Sequence, residues 1–168
     1  MVHQIREISI KDIDDFVNLL TTIYDESDYL MYSPGEYSPS TTDAINNLEH
    51  FITSPTNAIF VAESNQELVG FATVTTKKLE RVKHEAHFSM GVIKRHQSQG
   101  LGQSLINSVE AWCVNHEIHR IEVIIVPENA SALDLFKSSN YQIEGELRDK
   151  LYINGQYYNQ YVLSKLLL

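Results

Sequence analysis

The sequence predicts a single α/β domain over residues 1–168, built around a mixed β-sheet. Three observations predict this class. The length is typical of one domain, and hydrophobic residues make up 43% of the chain, which is enough to form a core. Strand-like runs and helical stripes follow in the order β-α-α-β-β-β-α-β-α-β-β. No repeat or Gly/Pro/Ser-rich linker divides them.

The first third of the chain predicts one strand and two helices. Residues 5–10 alternate apolar and polar side chains, as in a short strand. Ser9 and Asp12 have the spacing of a capping box, which predicts a helix directly behind that strand. The helix has an apolar stripe formed by Ile13, Phe16, Val17, Leu20 and Tyr24. Residues 25–39 are acidic, aromatic and interrupted by prolines, which is typical of a loop, and Ser40 or Thr41 then caps a second helix.

The middle of the chain predicts a hairpin, a further strand and a third helix. Residues 58–63 and 68–76 are β-rich runs joined by a short polar turn, which indicates the hairpin. Residues 86–93 form another run with a period of two. A turn with two glycines then leads into an apolar helical stripe formed by Leu101, Leu105, Val109 and Trp112.

The last third predicts a strand, a helix and a closing hairpin. Residues 121–126 are almost continuously apolar, which is typical of a strand buried on both faces. Residues 129–139 predict a helix. Two further strands, 141–153 and 157–166, are joined at Asn154-Gly155, a dipeptide that favours a tight hairpin turn. We expect the apolar end of the last strand, residues 161–168, to be available for pairing with a second subunit in a homodimer.

Charge and composition argue against several classes of protein. A formal net charge of −9 disfavours the phosphate-neutralising surface of nucleic-acid-binding proteins and favours cationic partners. No apolar run approaches the roughly 18 residues of a membrane span, and the first residues lack a signal-peptide core. Cys113 is the only cysteine, which excludes an internal disulfide, and it falls within a helical pattern typical of a core. We therefore expect a cytoplasmic protein that binds neither nucleic acids nor membranes.

The most informative segment is the turn of residues 97–104, called the glycine turn below. It connects a strand to a helix, and the N–H groups at a helix N-terminus attract anions. Glycines let a phosphate approach the backbone closely. Gln103 stands where a P-loop requires lysine, and Leu105 stands where a dinucleotide-binding motif has its third glycine. The turn therefore predicts an anion site of neither standard nucleotide type.

The pattern Gln97-x-x-Gly100-x-Gly102 resembles the acyl-CoA pyrophosphate loop of the GNAT acetyltransferase superfamily. Residues 129–136 are similar to a second characteristic segment of that family, and residues 84–105 are also similar to its phosphinothricin acetyltransferase-like branch. The resemblance implies a mostly antiparallel, twisted sheet of about seven strands flanked by about four helices. It also implies that two central strands splay apart and form the slot for an acyl-CoA.

The cofactor implied by this resemblance is acetyl-CoA or another short acyl-CoA, with no metal. Backbone groups near Met90 and Val92 would pair with the pantetheine arm, and N–H groups of the glycine turn would hold the pyrophosphate. Asn129 would lie beside the pantetheine and Phe136 near the thiol. The implied cofactor-binding residues are Met90, Gly91, Val92, Gln97, Ser98, Gln99, Gly100, Leu101, Gly102, Gln103, Ser104, Asn129, Ser131 and Phe136.

The resemblance also indicates candidate catalytic residues. The family often has a glutamate about five residues before the strand-ending valine, and here that position is His87, which suits a base working near neutral pH. Glu85, two residues earlier on the same strand face, is expected to orient it. The alternative is that both are ordinary polar residues on a half-solvated strand. Phe136 replaces a tyrosine that protonates the departing thiolate in many relatives, so the general acid stays open between Ser131, Tyr141 and water.

These observations predict an acetyl-CoA-dependent N-acetyltransferase that transfers an acetyl group directly to the primary amine of a small molecule in a ternary complex. Carboxylates and tyrosines in residues 25–39 and in the last hairpin suit a cationic amine. Two alternatives stay open. One is an acyl-CoA-binding sensor or interaction module without turnover, which Phe136 favours. The other is a protein or peptide N-terminal acetyltransferase, which needs an open groove.

Overall fold

Residues 3–167, the part of the chain that the computed structural model describes, form seven strands and four α-helices. The strands are β1 (His3–Glu7), β2 (Asn57–Ser64), β3 (Glu67–Thr76), β4 (Glu85–Val92), β5 (Arg120–Ile125), β6 (Gln142–Ile153) and β7 (Gln156–Leu166). The helices are α1 (Ile13–Glu26), α2 (Thr41–Thr53), α3 (Leu101–Asn115) and α4 (Ala130–Ser138). The predicted α/β class and the predicted order of elements are confirmed.

All strands belong to one sheet in the order β1-β2-β3-β4-β5-β7-β6. Every neighbouring pair is antiparallel except β4 and β5, which are parallel. Those two strands pair only between residues 85–87 and 120–122. Beyond that point β4 stays with β3 and β5 stays with β7, so the central strands separate as expected.

The first strand ends at Glu7 and not at residue 10, because the next residues bond to one another. The Asp12 carboxylate accepts hydrogen bonds from the Ser9 N–H at 2.7 Å and from the Ser9 hydroxyl at 3.0 Å. Two Arg6 N–H groups bind the same carboxylate, each at 2.8 Å. A short 3-10 turn, Ile10–Asp12, therefore leads into α1.

Helix α1 packs on the sheet with a face slightly rotated from the predicted stripe. Ile13 and Phe16 are buried as predicted, but Leu19 and Ile23 complete the buried face, while Leu20 is only partly buried. The close approach of α1 to β4 depends on Gly91. A Cβ atom at that position would lie 2.8 Å from Ile23 Cγ2.

The expected burial of β5 on both faces is wrong. Ile121, Val123 and Ile125 are buried, but Ile124 is 44% exposed and shares its face with Glu122. The reason is the separation of the two central strands. Once β4 leaves β5, the face that holds Glu122 and Ile124 borders an open cleft instead of packed side chains.

The expectation that the last strand offers a free edge to a second subunit is also wrong. Strand β7 lies between β5 and β6, and its residues 161–164 pair on both sides. The strands at the edges of the sheet are β1 and β6, and Leu168 lies outside the described residues. The predicted hairpin is present, with Asn154 and Gly155 at φ 50° and 80°. Across residues 3–167, no helix has the length and apolar character needed to cross a membrane.

Candidate active site

A cleft of about 660 Å³ opens where β4 and β5 separate. Its walls are the second half of β4, the exposed face of β5, the glycine turn, the start of α4 and residues 26–30 behind α1. The sheet is therefore interrupted at its centre, and the interruption places backbone groups of β4 beside an open space.

The peptide groups of Met90 and Val92 point into this cleft. The Ile93 N–H donates to the Val69 carbonyl on β3 at 3.0 Å, and the His84 carbonyl accepts from β5. Because peptide orientation alternates along a strand, residues 90 and 92 face the β5 side, as residue 84 does. Beyond the last β4–β5 pair, no β5 residue reaches them. This exposed edge of β4 lies where the sequence predicts a strand-like binding surface, and binding there stays a prediction.

The glycine turn gathers backbone donors at the N-terminus of α3. Ser98 and Gly100 have left-handed φ values of 59° and 82°. Among the described residues, none accepts a hydrogen bond from the backbone N–H groups of residues 98–103. A series of unpaired N–H groups at a helix N-terminus carries partial positive charge, which favours an anion. The side-chain amide of Gln97 donates to the Val92 carbonyl at 2.9 Å and fixes the turn to the end of β4.

The two glycines of the turn serve different purposes. A Cβ atom at Gly100 would have no neighbouring atom within 4 Å, so the left-handed backbone is what requires glycine there. At Gly102 a Cβ atom would lie 2.7 Å from Leu135 Cδ2 and 3.3 Å from Met90 Cε. Glycine at this second position lets α3 pack closely against α4 and β4.

Most of the predicted cofactor-binding residues line the cleft, and three do not. Those that line it are Met90, Gly91, Val92, Gln97, Ser98, Gly100, Gly102, Gln103, Asn129, Ser131 and Phe136. Leu101 is buried in the core. The Gln99 amide donates to the Arg95 carbonyl, and the Ser104 hydroxyl donates to the Gly100 carbonyl. The side chains of these three residues are therefore committed elsewhere, and only their backbone groups face the turn.

The inner end of the cleft is apolar around Phe136. Its buried ring contacts the rings of Phe88 and Tyr141 edge-on, with centroids 5.6 and 5.1 Å away. Tyr141 is buried outside the lining of the cleft, and this burial raises the pKa of its hydroxyl. Of the two side chains considered as a general acid, only Ser131 lines the cleft. The Asn129 side chain accepts from the Ala132 N–H at 3.4 Å and caps α4.

His87 lies at the last paired position of β4, directly where the cleft begins. Its register partner on β5 is Glu122, and His87 Nδ1 is 3.5 Å from Glu122 Oε1. Both side chains line the cleft. Sequence reasoning missed Glu122, although a signal was present: it is the only charged residue in the apolar run 121–126.

Glu85 shares the face of His87 but is held by other groups. Its carboxylate accepts from Lys77 Nζ at 2.9 Å, and this bond is the main cause that lowers the Glu85 pKa below its usual value. Arg120 Nε lies 3.8 Å away on its other side. Glu85, the residue predicted to orient His87, is not part of the cleft lining.

A second cavity of about 530 Å³ lies between α1, α2 and the sheet. Tyr24, Tyr32 and Tyr37 form an aromatic cluster at its wall, with ring centroids 4.8 to 5.3 Å apart. Burial raises the pKa of Tyr24 to about 12, so its ring stays neutral at physiological pH. Glu36 is the charged residue of the lining, and Ser89 on β4 lines both this cavity and the cleft. The two spaces therefore border the same residue of β4, two positions after His87.

Comparison with known proteins assigns the chain to a family. Residues 18–141 match the family described as Acetyltransferase (GNAT) family. The chain is 27% identical over 106 residues to the L-amino acid N-acetyltransferase AaaT of Escherichia coli K12. That match covers 62% of this chain and 65% of AaaT, so the chain spans less than two thirds of that relative.

Solved structures share the fold over nearly the whole chain. An acetyltransferase of the GNAT family from Streptococcus pneumoniae has a TM-score of 0.93 at 23% identity, covering 99% of this chain and 100% of that one. A phosphinothricin acetyltransferase from Sinorhizobium meliloti, solved in complex with AcCoA, has a TM-score of 0.86 at 13% identity, covering 99% and 89%. With its splayed central strands and its donor-rich glycine turn, this chain belongs to the GNAT acetyltransferase family.

Proposed function

We propose that this protein is an acetyl-CoA-dependent N-acetyltransferase that acts on the amine of a small molecule. One observation carries the proposal: the separation of β4 and β5 puts an unpaired strand edge and a helix N-terminus with unpaired N–H groups on the walls of one cleft. Few ligands need both features, and a coenzyme with an amide-containing arm and a pyrophosphate does. Family membership supports the same conclusion.

The residues present fit such a coenzyme. The N–H groups of residues 98–103 would hold the pyrophosphate, although the chain as a whole carries a formal net charge of −9. The backbone groups of Met90 and the N–H of Val92 would pair with the arm as a further strand does, while the Val92 carbonyl keeps its bond to Gln97. Bound there, acetyl-CoA would supply an activated acyl group with a thiolate as the leaving group.

The chain's own residues provide the remaining chemistry. The Met90 N–H can donate to an acyl oxygen that lies beside the strand, which stabilises negative charge developing on that oxygen. His87 accepts a proton from the incoming amine through Nε2, directly or through one water. The buried rings of Phe88 and Phe136 keep water away from the reacting end of the cleft.

The acceptor amine reaches this point from the second cavity. Its aromatic cluster offers ring faces to a cation, and Glu36 adds a negative charge at the same wall. The AaaT relative is described as an L-amino acid N-acetyltransferase. We therefore propose a cationic amine with an apolar body that fits the space lined by Phe16, Leu20 and Phe51.

Two measurements test the proposal. Isothermal titration with acetyl-CoA should give a saturable binding isotherm, and the absence of heat at high micromolar coenzyme would contradict it. Thiol release should then be followed across amino acids, polyamines, aromatic amines and short peptides. Turnover only with peptides would favour an N-terminal acetyltransferase. Binding of acetyl-CoA without turnover on any amine would favour a sensor or interaction module.

We further propose that the whole chain acts as one domain in the cytoplasm. Support comes from the single sheet that joins residues 3 to 166. A self-associated form is part of the proposal, but the edges available for strand pairing are β1 and β6 rather than β7. Sedimentation velocity over a range of protein concentrations distinguishes the monomer from the dimer.

A further inference from the structure

The last paired residues of β4 and β5 bring an imidazole and a carboxylate together at the start of the cleft. His87 and Glu122 are register partners, and His87 Nδ1 lies 3.5 Å from Glu122 Oε1. The His87 side chain is 41% exposed and that of Glu122 is 17% exposed. Within residues 3–167, Glu122 is the carboxylate that lies within 4.0 Å of a His87 ring nitrogen.

Arg120 restricts the orientation of Glu122. Arg120 Nη2 donates to Glu122 Oε2 at 3.0 Å, which leaves Oε1 turned toward His87. Arg120 is itself fixed by Glu144, whose Oε1 accepts from Arg120 Nη1 at 2.9 Å. This contact lowers the pKa of Glu144 to about 2 and raises that of Arg120, so the pair stays charged. The positively charged Arg120 therefore holds the Glu122 carboxylate through the oxygen that does not face His87.

We propose that Glu122 is a positioning residue that holds His87 Nδ1 and leaves Nε2 as the proton acceptor facing the acceptor amine. The inference rests on the proposed acetyl transfer. Once the acceptor ammonium has released one proton to solvent, the neutral nitrogen bonds to the acyl carbon, the carbon–sulfur bond breaks, and one further proton leaves the nitrogen for Nε2. The resulting imidazolium is stabilised by Glu122 and returns that proton to solvent or to the released thiolate, which restores the neutral ring.

Glu85 is the competing candidate for this role, and its contacts oppose it. It binds Lys77 Nζ at 2.9 Å and lies outside the cleft lining. The charged groups around His87 are thus Glu85 on its own strand, Lys77 beyond β3, and Arg120 and Glu122 on β5. One donor atom from each of Glu85, His87 and Glu122 lies within 4.8 Å of the others, as in a metal site. Because Lys77 and Arg120 already bind the two carboxylates, we assign the cluster to proton handling.

The test compares Glu122→Gln with Glu85→Gln, two isosteric changes on opposite sides of the same histidine. We expect Glu122→Gln to lower kcat on the order of 10²-fold with KM for acetyl-CoA nearly unchanged. Glu85→Gln should lower kcat by less than about threefold, because His87 keeps its partner. Equal effects of the two variants, or an unchanged kcat in Glu122→Gln, would overturn the assignment.

A spectroscopic readout separates this inference from the proposed function, because it needs no acceptor amine. Long-range ¹⁵N–¹H correlation spectra of the free protein, recorded at a pH at which the ring is neutral, should show the His87 proton on Nδ1. Glu122→Gln should shift the ring toward the Nε2–H tautomer, and Glu85→Gln should not. An unchanged tautomer in Glu122→Gln refutes the positioning role, whatever the protein acetylates. Activity that is lost with EDTA and regained with Zn²⁺ would refute it in favour of a metal site.

Discussion

Replacing Gly100 with alanine is the most direct test of the glycine turn. Gly100 has φ 82° and ψ −1°, and a Cβ atom there would contact nothing within 4 Å. The cost of the substitution is therefore conformational only, about 1–2 kcal/mol for an L-residue in the left-handed region. Since no packed neighbour holds the strained backbone, we expect the turn to relax in the free protein. The coenzyme must then restore it, and affinity should fall by about 5- to 30-fold.

Isothermal titration with acetyl-CoA measures the affinity, and urea unfolding measures the effect of the substitution on stability. Gly155→Ala is the matched control, because Gly155 has φ 80° and equally open surroundings but lies in the β6–β7 turn. It should lower the free energy of unfolding and leave the affinity unchanged. Gly100→Asn should recover most of the affinity, because asparagine tolerates the left-handed region. Wild-type affinity in Gly100→Ala, or an equal loss in Gly155→Ala, would refute the reasoning.

Three further predictions concern stability, reactivity and leaving-group protonation. Asp12→Asn should destabilise the protein by about 1–2 kcal/mol at pH 7, because it breaks the two-bond contact with Arg6. The Arg6 contact holds the pKa of Asp12 below its usual value. The stabilisation is therefore present above the ordinary carboxyl pKa of about 4 and is lost at lower pH; a difference in urea midpoints that persists in strong acid would contradict this. Burial raises the pKa of Cys113 to about 12, so alkylation should proceed only as fast as the protein unfolds, and rapid labelling of native protein would be inconsistent with this. Phe136→Tyr should change kcat by far less than the roughly 10²-fold or more that a required general acid supplies, and a gain of that size would show that thiolate protonation limits the reaction.

The elements that sequence patterns predicted well are those set by nearby residues. The Asn154-Gly155 turn forms because both residues tolerate positive φ. Helix α2 begins at its predicted cap, where the Ser40 hydroxyl accepts from the Asp43 N–H at 3.1 Å. The end of β1 was predicted three residues too late, because the alternation of apolar residues continues through Ile10. The bonds of Asp12 to Ser9 and Arg6 end the strand, and the alternation of apolar residues does not reveal these polar contacts.

The site depends on pairings between residues that lie far apart in the sequence. Patterns of neighbouring residues do not show such pairings. The pairing of His87 with Glu122 joins strands separated by α3, so the charge in the apolar run 121–126 had no visible partner. The insertion of β7 between β5 and β6 is equally non-local. The glycine turn could be located from the sequence because glycine positions report backbone geometry directly.

The pairing of β4 with β5 stops after three residues, and this affects how coenzyme binding would change the sheet. A coenzyme that forms hydrogen bonds with Met90 would supply the pairing that β5 does not, so the centre of the sheet would be continuous only when the coenzyme is bound. Amide exchange along residues 88–92 should slow on saturation much more than exchange in the β6–β7 hairpin. Coenzyme binding and completion of the centre of the sheet would then be a single event, and His87 is the last residue of β4 that pairs with β5.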